Sequence, residues 1–151
     1  MPFDIVLIEP EIPNNTGNIG RLCLAVGAKL HLVKPFGFEL TDKRLKRAGL
    51  DYWPHLDVQI YESQEEFFEI NQGRKMFFLS SHGKQEFWDI PFEEDVMLIF
   101  GKESVGLDKD LLKRNSDLSF RIPLASEKVR SMNLANAVAV VAFEGARQLR
   151  S

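Results

Sequence analysis

A chain of 151 residues with 44% hydrophobic content can bury one core without disulfides or a structural metal, so a single domain covering 1–151 is expected. A formal charge of -3 excludes a protein that coats nucleic acid by bulk electrostatics, so any RNA contact has to be local. The single cysteine, Cys23, excludes an internal disulfide, and histidines at 31, 55 and 82 show no metal-ligand spacing. These features fit a reducing, cytoplasmic setting. The opening MPFDIVLIEPE lacks a basic leader and soon turns acidic, and no apolar run approaches the roughly 18 residues that cross a bilayer, so neither a signal peptide nor a membrane span is expected.

FDIVLI at 3–8 reads as a buried strand, followed from about Gly17 by a helix with Ile19, Leu22, Cys23 and Val26 on one face and Gly27 at its end. KLHLV at 29–33 is the next strand. Thr41 and Asp42 then start a short basic helix that Gly49 closes. DVQIY leads into Ser63-Gln64-Glu65-Glu66, a capping-box pattern opening a helix with Phe67, Phe68 and Ile70. KMFFLSS at 75–81, DVMLIFG at 95–101 and LSFRIP at 118–123 read as further strands, with a short helix near 108–114. A long helix from about Met132 to Leu149 carries Leu134, Val138, Val141, Ala142 and Gly145 at helical spacing. Alternating strands and helices imply an α/β fold with a largely parallel sheet flanked by helices.

Three segments carry residues with chemistry. Pro13-Asn14-Asn15-Thr16-Gly17-Asn18-Ile19-Gly20-Arg21 follows the first strand, where ligand sites of parallel sheets sit. Its asparagines can cap the helix or serve a site. Arg21 lies about 200° around the helix from Ile19, away from the apolar stripe and free to meet an anion. Gly101-Lys102-Glu103-Ser104-Val105-Gly106-Leu107 follows an apolar strand and matches neither GxGxxG nor a Walker A loop, which argues against an ordinary dinucleotide or ATP site. Taken alone, it is also compatible with a glycine turn before a helix. The polar run from Ile122 to Ala137 enters the last helix with Ser131 as a natural N-cap, Arg130 beside it, and Asn133 and Asn136 one turn apart. Lys43, Arg44, Lys46 and Arg47 form a dense basic group that could meet RNA phosphates, although charge alone favours a solvated helix face.

In this order, the three segments resemble the signature motifs of the SPOUT class of RNA 2'-O-methyltransferases. LIEPEIPNNTGNIGRLC, HLVKPFGFELTDKRLKRAGLDYW, LIFGKESVGL and RSMNLANAVAVVAFEGARQL are similar to the small subfamily that methylates nucleotide 34 of tRNA, a cytidine or uridine. The resemblance implies a C-terminal trefoil knot, S-adenosylmethionine as methyl donor with S-adenosylhomocysteine as product, no metal, and a homodimer. It places Leu79, Gly101, Ile122, Ser131 and Met132 around the donor, and Arg21 with Asn15 at the substrate hydroxyl. It makes Glu103, Asn133 and Asn136 buttresses of the loops. Lys43, Arg44, Lys46, Arg47 and Arg130 become the candidate tRNA contacts. Two positions depart from the pattern of that subfamily: Ala135 stands where a serine is common, and Phe143 where a tyrosine is common. The lost hydroxyl leaves open an rRNA methyltransferase or a catalytically silent module that binds the donor or RNA.

Overall fold

The computed structural model describes residues 2–49 and 52–150, apart from the side chain of Lys46. Its frame is a seven-stranded sheet in the order β3-β2-β1-β6-β4-β7-β5, every pairing parallel. The strands are β1 (Phe3–Ile8), β2 (Lys29–Val33), β3 (Val58–Tyr61), β4 (Met76–Leu79), β5 (Gln85–Glu86), β6 (Val96–Phe100) and β7 (Ser119–Arg121). The continuous apolar runs of β1 and β6 suit central strands covered on both faces, and both are buried throughout. The two-residue β5 has no apolar alternation, and the sequence reading misses it.

Alternation along the strands divides the core in two. Phe3, Ile5 and Leu7 of β1, with Leu98, Phe77 and Phe120, face α1 (Pro13–Val26) and α5 (Leu134–Leu149) through Ile19, Cys23, Val138 and Val141. Val6, Ile8, Ile99 and Phe78 face α3 (Gln64–Ile70) and α4 (Lys109–Arg114) through Phe67 and Leu111. Each fully buried phenylalanine or leucine here contributes about 1.5–3 kcal/mol relative to exposure. Ile70, expected on the apolar face of α3, is 62% exposed. Burial pushes the Cys23 thiol far up, which leaves it an inert core residue.

The second face also holds a polar line that the sequence does not announce. His31 Nε2 lies 2.7 Å from Asp4 Oδ2, and His31 Nδ1 lies 2.8 Å from the Tyr61 hydroxyl, to which Asn71 donates at 3.3 Å. Arg74 closes the line 3.4 Å from Asp4. Burial alone would raise the Asp4 carboxyl, but the His31 hydrogen bond and the Arg74 charge outweigh it and hold the carboxyl below its usual range.

Two helix starts differ from expectation. Helix α1 begins at Pro13 rather than near Gly17, so the first asparagine-rich segment is already helical. Its N-cap, Ile12, has no side-chain cap, and Pro13 in the first turn has no N–H to satisfy. Helix α5 begins at Leu134, and its cap is Asn133 rather than Ser131: Asn133 Oδ1 accepts from the N–H groups of Ala135 and Asn136. The basic helix α2 (Lys43–Gly49) lies where expected, with Asp42 Oδ1 accepting from Arg44 N at its start. Ser63 caps α3, accepting from Glu66 N at 3.1 Å, which is one half of the expected capping box; the return bond from Ser63 N to the Glu66 carboxylate is not formed.

Candidate active site

The parallel sheet delivers four loops to one edge. Strands β1, β6, β4 and β7 are neighbours, and Leu7, Phe100, Leu79 and Phe120 lie level across them. The segments that follow are 9–12, 101–108, 80–84 and 122–133, so the three chemistry-bearing segments meet at the carboxyl ends of the strands, the common ligand position in open parallel sheets.

One carboxylate ties the first two together. Glu103 Oε1 accepts from Glu11 N at 2.8 Å, and Glu103 Oε2 accepts from Ile12 N at 2.9 Å and from Asn15 Nδ2 at 3.2 Å. Glu11 returns the clamp by accepting from Ser104 N at 2.8 Å, a bond that holds the Glu11 carboxyl below its usual range. The third segment joins through amides: Asn133 Nδ2 donates to Asn15 Oδ1 at 3.1 Å. Asn133 therefore caps α5 with its oxygen and reaches α1 with its nitrogen, and its oxygen and nitrogen are assigned by those partners. Both Glu103 and Asn133 buttress the loops as expected. Asn136 is exposed, and its side chain makes no hydrogen bond among the described residues.

A second tie lies beside the first. Glu9 closes β1 with φ of 54°, a left-handed backbone that costs an ordinary side chain about 1 kcal/mol or more. Its carboxylate is held by Lys102 Nζ at 3.2 Å and Gln64 Nε2 at 2.9 Å, which pins the strained residue to the second loop and to α3.

The expected donor residues fall on this edge. Leu79 ends β4 almost fully buried, Gly101 follows β6 and is buried, and Ile122 and Met132 are half-buried, while Ser131 is exposed. Gly101 has no room for a side chain: a Cβ there would lie 2.2 Å from Gly106 C and from Leu107 N, because the loop folds back upon itself. Gly106 supports that return with φ of 74° and by donating its N–H to Lys102 O. Between Pro123 and Met132, the backbone–backbone bonding among the described residues reduces to Val129 N on Ser126 O at 3.4 Å. A stretch with so many free amides and carbonyls beside apolar Leu79, Ile122 and Met132 suits a ligand with a flat heterocycle and polar edges. The chemistry of an adenosyl group fits that set.

Arg21 stands exposed on α1, with its guanidinium carbon 4.8 Å from the Tyr52 ring centroid and no ion-pair partner among the described residues. Asn15, expected beside it at the substrate hydroxyl, is 6% exposed, with both ends of its carboxamide committed to Glu103 and Asn133. The two residues stand about 9 Å apart along the helix and roughly 120° around it. On α2, Lys43, Arg44 and Arg47 are exposed while Leu45 is fully buried; Arg44 pairs with Asp42 at 3.1 Å. The Lys46 side chain lies outside the described residues. Arg130 is exposed, and Arg121 is spent within the fold, donating to the carbonyls of Gly83 and Lys84. The sequence pattern does not announce Tyr52 as the aromatic neighbour of Arg21, because the contact joins α1 to a segment some thirty residues away.

Known proteins resemble this chain in sequence and fold. A relative from Methylovorus glucosotrophus, a tRNA (cytidine(34)-2'-O)-methyltransferase, is 45% identical over 147 residues, covering 97% of this chain and 95% of its own. A solved structure described as giving insights into the 2'-OH methylation of C/U34 on tRNA superposes with a TM-score of 0.93 at 44% identity, covering 97% of this chain and 95% of that one. An rRNA methyltransferase from Sinorhizobium meliloti, solved with S-adenosylmethionine bound, matches with a TM-score of 0.87 at 25% identity, covering 99% of this chain but 57% of its own. The model of the SpoU rRNA methylase family matches residues 2–143, and with that span and those three linked loops the chain belongs to the SpoU methylase family.

Proposed function

We propose that this protein transfers a methyl group from S-adenosylmethionine to the ribose 2'-hydroxyl of nucleotide 34 in tRNA, a cytidine or uridine, as a cytoplasmic homodimer. The observation that carries the reading is the link from Glu103 through Asn15 to Asn133, which joins all three motif segments at one edge of the sheet. The similarity to tRNA-modifying relatives over nearly the full length favours tRNA. The rRNA methyltransferase that matches has a chain of which this protein spans little more than half.

When bound, the donor supplies an activated methyl and its own leaving group. Leu79, Ile122 and Met132 would wall the adenine, and the backbone of 101–106 and 122–132, with Ser131, would take its polar edges. Glu103 and Asn133 hold those loops in place before the donor arrives, so little ordering is left for the binding step. Arg21 orients the ribose and its phosphate and stabilises the oxygen as its proton passes to water; a guanidinium stays protonated and is no base. Asn15 acts through the loops it connects. Lys43, Arg44, Lys46, Arg47 and Arg130 contact tRNA phosphates. The dimer interface includes the stretch of α5 from Leu134 to Phe143, which carries no charged residue and on which Val140 and Phe143 are 36% and 56% exposed. The return of 122–133 towards α1 after β7 supports a trefoil knot like that of the SPOUT class.

Radiolabelled donor and undermethylated tRNA test the reading. Transfer to nucleotide 34 is expected, with a loss of about a hundredfold or more in Arg21→Ala. Methylation of rRNA in preference to tRNA in direct competition, or donor binding without transfer to either, would overturn it.

A further inference from the structure

An arginine that has to meet a phosphate and a developing alkoxide presents a design problem. Left free, it spreads over many rotamers; paired with a carboxylate, it loses N–H donors and much of its charge. Arg21 is held in a third way. Its guanidinium sits over the Tyr52 ring, 4.8 Å from the centroid, and no carboxylate pairs with it among the described residues. An aromatic face attracts the cation while leaving its five N–H donors uncommitted.

The placement of the ring is itself built in. Gly20, immediately before Arg21, lacks the side chain that would block the neighbouring segment: a Cβ there would lie 2.9 Å from Leu56 Cδ2 and 3.0 Å from Trp53 Cζ3. The 3-10 turn Trp53–His55 therefore rests directly on α1, and Tyr52, its N-cap, is set beside the next residue of the helix. Trp53 and Leu56 are half-buried against the core, which anchors the turn from beneath.

We infer that Tyr52 is a positioning residue for methyl transfer: its ring fixes the Arg21 guanidinium at the ribose without consuming the donors or the charge that the reaction needs. The inference rests on the role given to Arg21 above. It makes the face of the ring the active feature and the hydroxyl dispensable.

The test measures kcat and KM with tRNA for Tyr52→Leu and Tyr52→Phe, each in the wild-type and Arg21→Ala backgrounds, together with the Arg21 Nε–Hε resonance. Tyr52→Leu is expected to lower kcat about three- to tenfold with donor affinity unchanged, and Tyr52→Phe to stay near wild type. In the Arg21→Ala background, Tyr52→Leu is expected to cost nothing further, and the Nε–Hε resonance is expected to move in Tyr52→Leu but not in Tyr52→Phe. Phenylalanines of increasing fluorination at position 52 keep the shape while draining the ring face of charge, and kcat is expected to fall stepwise; this series decides the matter should Tyr52→Leu not fold. A Tyr52→Phe loss equal to that of Tyr52→Leu, a full Tyr52→Leu loss persisting without Arg21, or indifference to fluorination would overturn the inference. Wild-type turnover in Arg21→Ala would overturn the role of Arg21, whereas an Arg21 resonance blind to Tyr52→Leu would overturn the contact itself.

Discussion

Glu103 accepts three hydrogen bonds with two oxygens, and each comes from the segment that opens α1. Glu103→Gln keeps the size and replaces one acceptor with a donor, which then faces an N–H group. The expected cost is about 1–3 kcal/mol of stability, read by chemical denaturation, and at least tenfold weaker donor binding, read by calorimetry. Unchanged donor affinity would mean that the clamp plays no part in shaping the pocket. The sequence marks Glu103, Asn15 and Asn133 as unusual residues in suspicious places, but their partnership spans 88 and 118 positions, beyond the reach of any local pattern. Arg21 was legible for a different reason: its angle on the helix follows from 3.6 residues per turn alone. A buried hydroxyl, Thr16 Oγ1, has no partner among the described residues, and nothing in the structure explains it.

At the scale of elements, the strands were readable wherever a solid apolar run met a turn signal, and so were most helix ends, Gly27 after α1 and Ser63 before α3 among them; the starts of α1 and α5 were not. Helix α1 starts early because a carboxylate from a distant loop takes the N–H groups just ahead of it, so no local cap is needed. Helix α5 starts late because Asn133, not the equally suitable Ser131, has Asn15 within reach of its free end. Helix α2 matched its prediction because Asp42 caps it locally. Its buried Leu45 fixes the helix while the side chains of Lys43, Arg44 and Arg47 stay outside, so Lys43→Glu with Arg47→Glu is expected to leave folding intact. The KM for tRNA is expected to rise tenfold or more, and the salt dependence of binding to flatten by about 1.5 to 2 in the log–log slope. Titrations of tRNA binding against salt would show this; an unaltered slope would move the RNA surface elsewhere.

At the scale of the molecule, the exposed Val140 and Phe143 lie on a helix whose opposite side is fully buried. If the proposed dimer packs through this face, Phe143→Glu is expected to leave the protein monomeric in sedimentation at micromolar concentration, because it would place a charge inside an apolar contact. A dimer of undiminished stability would place the interface on another face.

The order of the strands has a consequence for how the chain is made. β1 finds β2 on one side within its first 33 residues, but its other edge waits for β6, which begins at Val96. β4 is synthesised before either of its neighbours, β6 and β7. During translation, the half of the sheet bearing the catalytic edge therefore has strands without partners until residue 121 has left the ribosome, and the last segment of the site arrives later still. A nascent chain stalled before that point carries open apolar edges, the surfaces on which chaperones act and from which aggregation starts.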